Sequence, residues 1–291
     1  MVDRRVVSCF ALALLALSMT LSVPAYAATP ALDCGSGGSS SCVATAGTIA
    51  LTTVTVSGSL TVSNTGDLII AIVSASSSSD TFVAPTYGGA AMLSKCTFTA
   101  ATPYEYLYYY YPGTSGTAET VSETVTGLAG DSAGLVAFGI NGVPSSSFFD
   151  GSCISNSGTS TTPSLAFTTT DTNDFVVAGV VANAGTGGTM SAIGATSPTS
   201  QIGSAAFNTL STFGSSAGYQ TGDGSSTSYT LSFSITESIG TPSWFEGGVA
   251  VKDATPSVPE FPYGILPLVL AVPVLYWFIG KGRKTSHPLP R

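Results

Sequence analysis

Ser59-Leu-Thr-Val-Ser-Asn-Thr-Gly-Asp67-Leu-Ile-Ile-Ala-Ile-Val73 decides how this chain is read. A short alternating stretch enters a polar Asn/Asp/Gly turn and leaves it as a near-continuous apolar run. Alternation at period two marks a strand with one wet face, and an unbroken apolar run of six to eight residues suits a strand covered on both. The pattern returns about 107 residues later as Ser164-Leu-Ala-Phe-Thr-Thr-Thr-Asp-Thr-Asn-Asp174-Phe-Val-Val-Ala-Gly-Val-Val181. Asp67 and Asp174 close the two turns, where a short side chain that bonds its own backbone is favoured.

The later parts of the two copies also correspond. Residues 119–125 alternate and lead through 127–134 to Leu135-Val-Ala-Phe138, while 228–235 alternate and lead through 240–246 to Gly248-Val-Ala-Val251. Tyr229, Leu231, Phe233 and Ile235 share one side of an extended chain. Outside the two apolar ends, no window carries a helical period. These patterns predict an all-β, two-sheet, jelly-roll-like sandwich over residues 28–253, built from two similar halves (about 54–143 and 160–253) of four or five strands each. A propeller needs more repeats. Two separate Ig-like domains joined by the Pro/Ser/Gly-rich stretch 144–162 are the competing arrangement. The order of strand, turn, buried strand, Tyr-rich strand and closing Val249-Ala-Val-Lys252 resembles β-sandwich modules of secreted bacterial and archaeal surface proteins, a resemblance that implies a fold.

Residues 28–253 hold fourteen carboxylates against Lys95 and Lys252, a formal charge of −12, with no arginine or histidine. Such a surface repels nucleic acid and anionic lipid. Low charge and regular Val/Ile/Leu/Phe runs favour a packed β domain over disorder, despite abundant Ser, Thr and Gly. With Cys9 in the leader, Cys34, Cys42, Cys96 and Cys153 remain, an even number that suggests two disulfides with three possible connectivities. The flexible Gly/Ser loop between Cys34 and Cys42 suits a local bridge, which leaves Cys96 with Cys153. Neither CxxC-like spacing nor histidine partners point to a metal.

Catalytic chemistry finds few groups. The only histidine, His287, lies beyond the C-terminal apolar run, which removes Ser-His-Asp, Cys-His and histidine-metal sites from 28–253. Glu119 and Glu123 share a strand face at about 13 Å, wider than the pair a glycosidase uses, and read as a solvated edge. Glu105, Glu237 and Glu246 have no evident partner. The expectation is therefore no enzyme, no cofactor and no metal. Tyr104, Tyr106, Tyr108 and Tyr110 fall on one face of a strand, with Leu107, Tyr109 and Tyr111 on the other. Bare rings there could stack on sugar, although filling the core is the ordinary role of such a face, and the same holds for Trp244 and Phe245. The oxygens of Asp171-Thr-Asn173-Asp174 and Asp223-Gly-Ser are met by Asx turns without calcium. Lys95 and Lys252 are the only lysines an isopeptide link could use, and Lys252 reads as a solvated strand end.

The two ends place the chain. Arg4 and Arg5, the apolar run 6–17 and Ala25-Tyr26-Ala27 read as a signal peptide cleaved after residue 27. Residues 254–260 form a linker, and 261–280 make an apolar helix whose 19 uncharged residues from Phe261 to Ile279 cross a bilayer. Lys281, Arg283 and Lys284 in the tail 281–291 stay cytoplasmic, leaving 28–253 outside. Pro259-Glu260-Phe261-Pro262, followed by the apolar helix and basic cluster, resembles the PEF-type C-terminal sorting signal of archaea. That resemblance implies an archaeosortase-type processing enzyme that cleaves near the motif and transfers the protein to another surface anchor. An ordinary single-pass membrane anchor would use the same segment. Together these readings predict an archaeal cell-surface protein with a structural or adhesive role toward envelope proteins or glycans, or a carbohydrate-binding module.

Overall fold

The computed structural model describes residues 29–254, apart from 34–42, 50–52, 65, 78, 100–102, 115, 128–130 and 206–211. Both apolar ends, the sorting motif and the basic cluster lie outside the described residues. In chain order the strands are β1 (Ala31–Asp33), β2 (Val43–Ile49), β3 (Thr53–Thr61), β4 (Leu68–Ala75), β5 (Thr81–Tyr87), β6 (Ala90–Ala91), β7 (Leu93–Phe98), β8 (Tyr104–Tyr110) and β9 (Ala118–Thr126). They continue as β10 (Ser132–Asn141), β11 (Phe149–Thr159), β12 (Ser164–Thr168), β13 (Phe175–Asn183), β14 (Met190–Ala195), β15 (Ser200–Ala205), β16 (Phe213–Thr221), β17 (Ser228–Glu237) and β18 (Ser243–Val251). No helix occurs among the described residues.

The repeat seen in the sequence is a repeat of sheets. In the first half, β2-β10-β4-β8-β7 form one antiparallel sheet, with β1 pairing the far end of β10, and β3-β9-β5-β6 form the facing one. In the second half β11-β18-β13-β16-β15 face β12-β17-β14. Val56, Leu60, Val121 and Val125 pack on Ile69, Val73 and Leu135 inside the first half. Leu165, Phe167, Leu231 and Phe233 pack on Val176, Val180 and Ala250 inside the second.

A third core joins the halves. Leu68, Ile70 and Ile72 of β4, with Val136 and Phe138 of β10, meet Phe175, Val177 and Val181 of β13 and Val249 of β18. β4 and β10 thus send alternate residues into two different cores, as do β13 and β18. Double coverage is why these strands read as unbroken apolar runs, and each fully buried aliphatic adds about 1.5–3 kcal/mol on either side. The expected single two-sheet sandwich is corrected accordingly: the described residues form four sheets, two in each half, with the large sheets back to back. The competing linker between separate domains is corrected as well. Residues 149–159 are edge strand β11, and the described residues between 29 and 254 form one unit by their contacts.

Candidate functional site

The sheets that meet at the middle are fastened by Cys96 and Cys153. Cys96 stands at a register shift in β7 and Cys153 within the irregularity of β11 between Asp150 and Ile154. An irregularity of this kind re-aims a side chain. Here both sulfurs meet across the interface as a disulfide, with Cα atoms 5.9 Å apart. Beside it the Lys95 ammonium sits 4.8 Å above the Phe149 ring, and Asn183 Nδ2 donates to the Ser76 carbonyl at 3.1 Å, also between halves. Cys34 and Cys42 lie outside the described residues.

The tyrosine strand is enclosed. Tyr104 and Tyr108 are 2% and 7% exposed, and Tyr106 and Tyr110 are half-buried against the first-half core. Their rings contact one another, Phe82 and Tyr87, while Tyr109 and Tyr111 rest on Phe148 and Phe149 across the other face. Tyr104 donates to the Asp80 carbonyl at 2.5 Å. Burial pushes the Tyr104 and Tyr108 phenols up, the latter to about 12. Buried rings of this kind leave no bare face on Tyr104 or Tyr108 for a sugar. Trp244 is buried too, its Nε1 donating to Ser160 Oγ at 3.0 Å, and Phe245 faces the central core.

Buried carboxyls are the feature that the sequence concealed. Glu123, expected on a solvated edge, is 1% exposed inside the first half, and desolvation raises it to about 8. Glu246 on β18 faces the second-half core and is raised to about 9 for the same reason. Glu105 is fully buried against Gly179 in the central interface, where desolvation and then the Glu246 charge hold its carboxyl well above the usual range. Buried acids with no donor shed their charge by keeping a proton. Asp80 is raised to about 7 by burial and by the hydrogen bond and charge of Asp131.

Two further acids form pairs. Asp67 is raised to about 8, first by burial and then by the hydrogen bond and charge of Asp33. Asp174 is raised to about 7, first by burial and then by Asp150. For Asp150 burial is outweighed by hydrogen bonds from the Thr170 N–H and hydroxyl and from Asp174, and by Lys252, so its carboxyl falls below the ordinary range. The half-buried Lys252 thus serves an acid rather than open solvent. Asp67 and Asp174 are the turn residues of the opening repeat. Their burial was illegible there because nothing local marks Asp33 and Asp150 as partners.

An open crevice of about 400 Å³ lies among Pro198, Tyr219, Gln220, Asp223 and Tyr229. Tyr229 turns its hydroxyl inward to the carbonyls of Thr172 and Ser226. The Ser225 hydroxyl and N–H hold Asp223 below the usual carboxylate range, so the crevice has an ionised acid and none of the raised ones. That arrangement lacks an acid–base pair. Asp171 likewise closes an Asx turn on Asn173 N–H at 3.0 Å, and no group of three metal-ligating side chains occurs among the described residues. No family model matches the chain, and no characterised protein is significantly similar to it.

Proposed function

We propose that this chain is a non-enzymatic structural or adhesive protein of an archaeal cell surface, anchored at the cytoplasmic membrane through its C-terminal segment. The order Pro259-Glu260-Phe261, apolar run, basic cluster carries the reading, because each part has a separate role in export and anchoring. An archaeosortase-type enzyme and neighbouring envelope proteins or glycans are the partners this reading implies. The disulfide across the central interface supports it, since such bonds persist outside the cell. Each half is further read as a jelly roll. The order β2-β10-β4-β8 over β3-β9-β5-β6 supports this, as does β11-β18-β13-β16 over β12-β17-β14.

The test is the intact mass of the protein from its native membrane. A C-terminus near Glu260 carrying a lipid-sized addition is the expected result. A chain continuing to Arg291 would reduce Pro-Glu-Phe to a linker and leave a plain single-pass anchor.

A further inference from the structure

We propose that each half is fastened by one proton held between two buried aspartates, Asp33 with Asp67 and Asp150 with Asp174, and that losing it to solvent releases the edge segments at Asp33 and Asp150. The inference is independent of where the protein resides.

The two pairs occupy the same place in the two halves. Asp33 pairs with Gly139 across the sheet, and Gly139 with Ile69, two residues beyond Asp67. Asp150 pairs with Ala250, and Ala250 with Val176, two residues beyond Asp174. The hydroxyl residue is repeated as well. Ser63, four before Asp67, donates its N–H and hydroxyl to Asp33, and Thr170, four before Asp174, donates both to Asp150, the hydroxyl at 2.9 Å. Each turn aspartate also accepts one N–H, Asp67 from Asn64 at 3.3 Å and Asp174 from Asp253 at 3.4 Å. All four acids are at least nine-tenths buried.

In each pair the edge acid already has two donors from its Ser or Thr. The turn acid has one weak N–H, and Asp174 Oδ2 is buried without a donor, so a bond joining the two carboxyls requires a proton. Two ionised carboxylates in contact at a buried site cannot both persist. The segments they hold are short: β1 is three residues, and Phe149–Asp150 is separated from the rest of β11 by the register shift. Apart from the clasp, β1 keeps its three-residue ladder to β10, and Phe149–Asp150 keeps its two pairings to β18, the Phe149 ring contacts and the Lys252 N–H bond to the Phe148 carbonyl, so opening is local.

Among the described residues the surroundings add little positive charge. Asp171, Tyr229 and Lys252 face the second pair, with Asp253 supplying its N–H. Tyr87 of β5, itself near Glu119 of β9, faces the first. Among the described residues only Lys252 favours ionisation, and it acts on Asp150.

The sign follows from linkage. An unfolded aspartate titrates near 4, whereas Asp67 and Asp174 keep their protons to about 8 and about 7. The turn acids' contribution is therefore fully present below pH 4 and is lost as pH rises through 7 to 8, whereas the contribution of the depressed Asp150 is lost only as pH falls below the ordinary carboxylate range. Between pH 5 and 7 the open fraction of each segment rises about tenfold per pH unit, then levels off.

The experiment is hydrogen exchange of the full chain from pH 5 to 9, corrected for intrinsic exchange, read at 31–33 and 149–150. The expected result is that rise in both segments while β4 and β13 stay protected. Protection independent of pH would overturn the proposal. Asp67→Asn with Asp174→Asn supplies an amide donor that cannot ionise. The pH dependence should then vanish, and its persistence at native strength would also overturn the idea. Should the double variant fail to fold, carboxyl resonances of the native chain decide: one proton per pair retained above pH 6 supports the clasp, and four acids titrating near 4 refute it. Millimolar calcium at pH 9 should leave the segments open, and protection restored by calcium would mean that the pairs hold a cation instead.

Discussion

Removing the Cys96–Cys153 bond should lower stability by about 4 kcal/mol without separating the two halves. The bond joins residues 57 apart in sequence, and constraining a loop of that length in the unfolded chain is worth about that much at 25 °C. In a domain of this size each kcal/mol moves Tm by roughly 2–4 °C, so Cys96→Ala with Cys153→Ala should lower it by about 8–16 °C. Calorimetry should still record one transition. The central core of Leu68, Ile70, Val136, Phe138, Phe175 and Val177 survives the substitution, as does the hydrogen bond from Asn183 to Ser76. A double variant is preferable to reductant, which would also reach any bridge between Cys34 and Cys42. A Tm shift under about 2 °C would refute the loop argument. Two separate transitions would refute the stronger claim, that the halves share a core and melt together.

Other perturbations probe the buried polar groups. Gly179→Ala should destabilise by about 1–3 kcal/mol because its Cβ runs into the Glu105 carboxyl, and adding Glu105→Ala should recover much of that loss in a double-mutant cycle by chemical denaturation. Glu123→Gln should flatten the decline in stability between pH 5 and 8 by about 1.4 kcal/mol per pH unit, since native Glu123 retains its proton to about 8 and the unfolded acid does not. Trp244→Phe should cost about 1 kcal/mol through loss of the bond to Ser160, and denaturation midpoints check it.

How much of this was legible depended on whether the signal was local. The runs at 68–73 and 175–181 announce strands covered on both faces, and Tyr229, Leu231, Phe233 and Ile235 do share a buried face. What covers the second face is not local information. Leu68 meets Phe175 only because two large sheets close on one another, so the pattern was compatible with two sheets or four. The acids failed for a related reason. Glu123 stands at the strand period with Val121 and Val125, so alternation itself places it on their inward face. A carboxyl in that row reads as solvated unless protonation is allowed.

That allowance changes the charge of the molecule. Counting every carboxylate as ionised gives −12 for residues 28–253, but the fold shelters Asp67, Glu123 and Glu246 above neutrality, leaves Asp80 and Asp174 near their midpoints at pH 7, and holds Glu105 well above the usual carboxylate range. The working charge at pH 7 is then about −8 before Glu105 is counted, and repulsion grows on the alkaline side, where the shared protons are also lost. The consequence is measurable once Cys34 and Cys42 are blocked by alkylation wherever they are unbridged, since a free thiol titrates near 8.5. Residues 28–253 contain no histidine, and Cys96 and Cys153 are bonded. Potentiometric titration of the native protein from pH 6 to 9 should release about four protons beyond the terminal amine and His287. In denaturant those acids ionise near pH 4, so the release should shift below pH 6. If the native protein released fewer than about two, the buried carboxyls would have to be ionised at neutrality, and the account of both the pairs and the core acids would fail together.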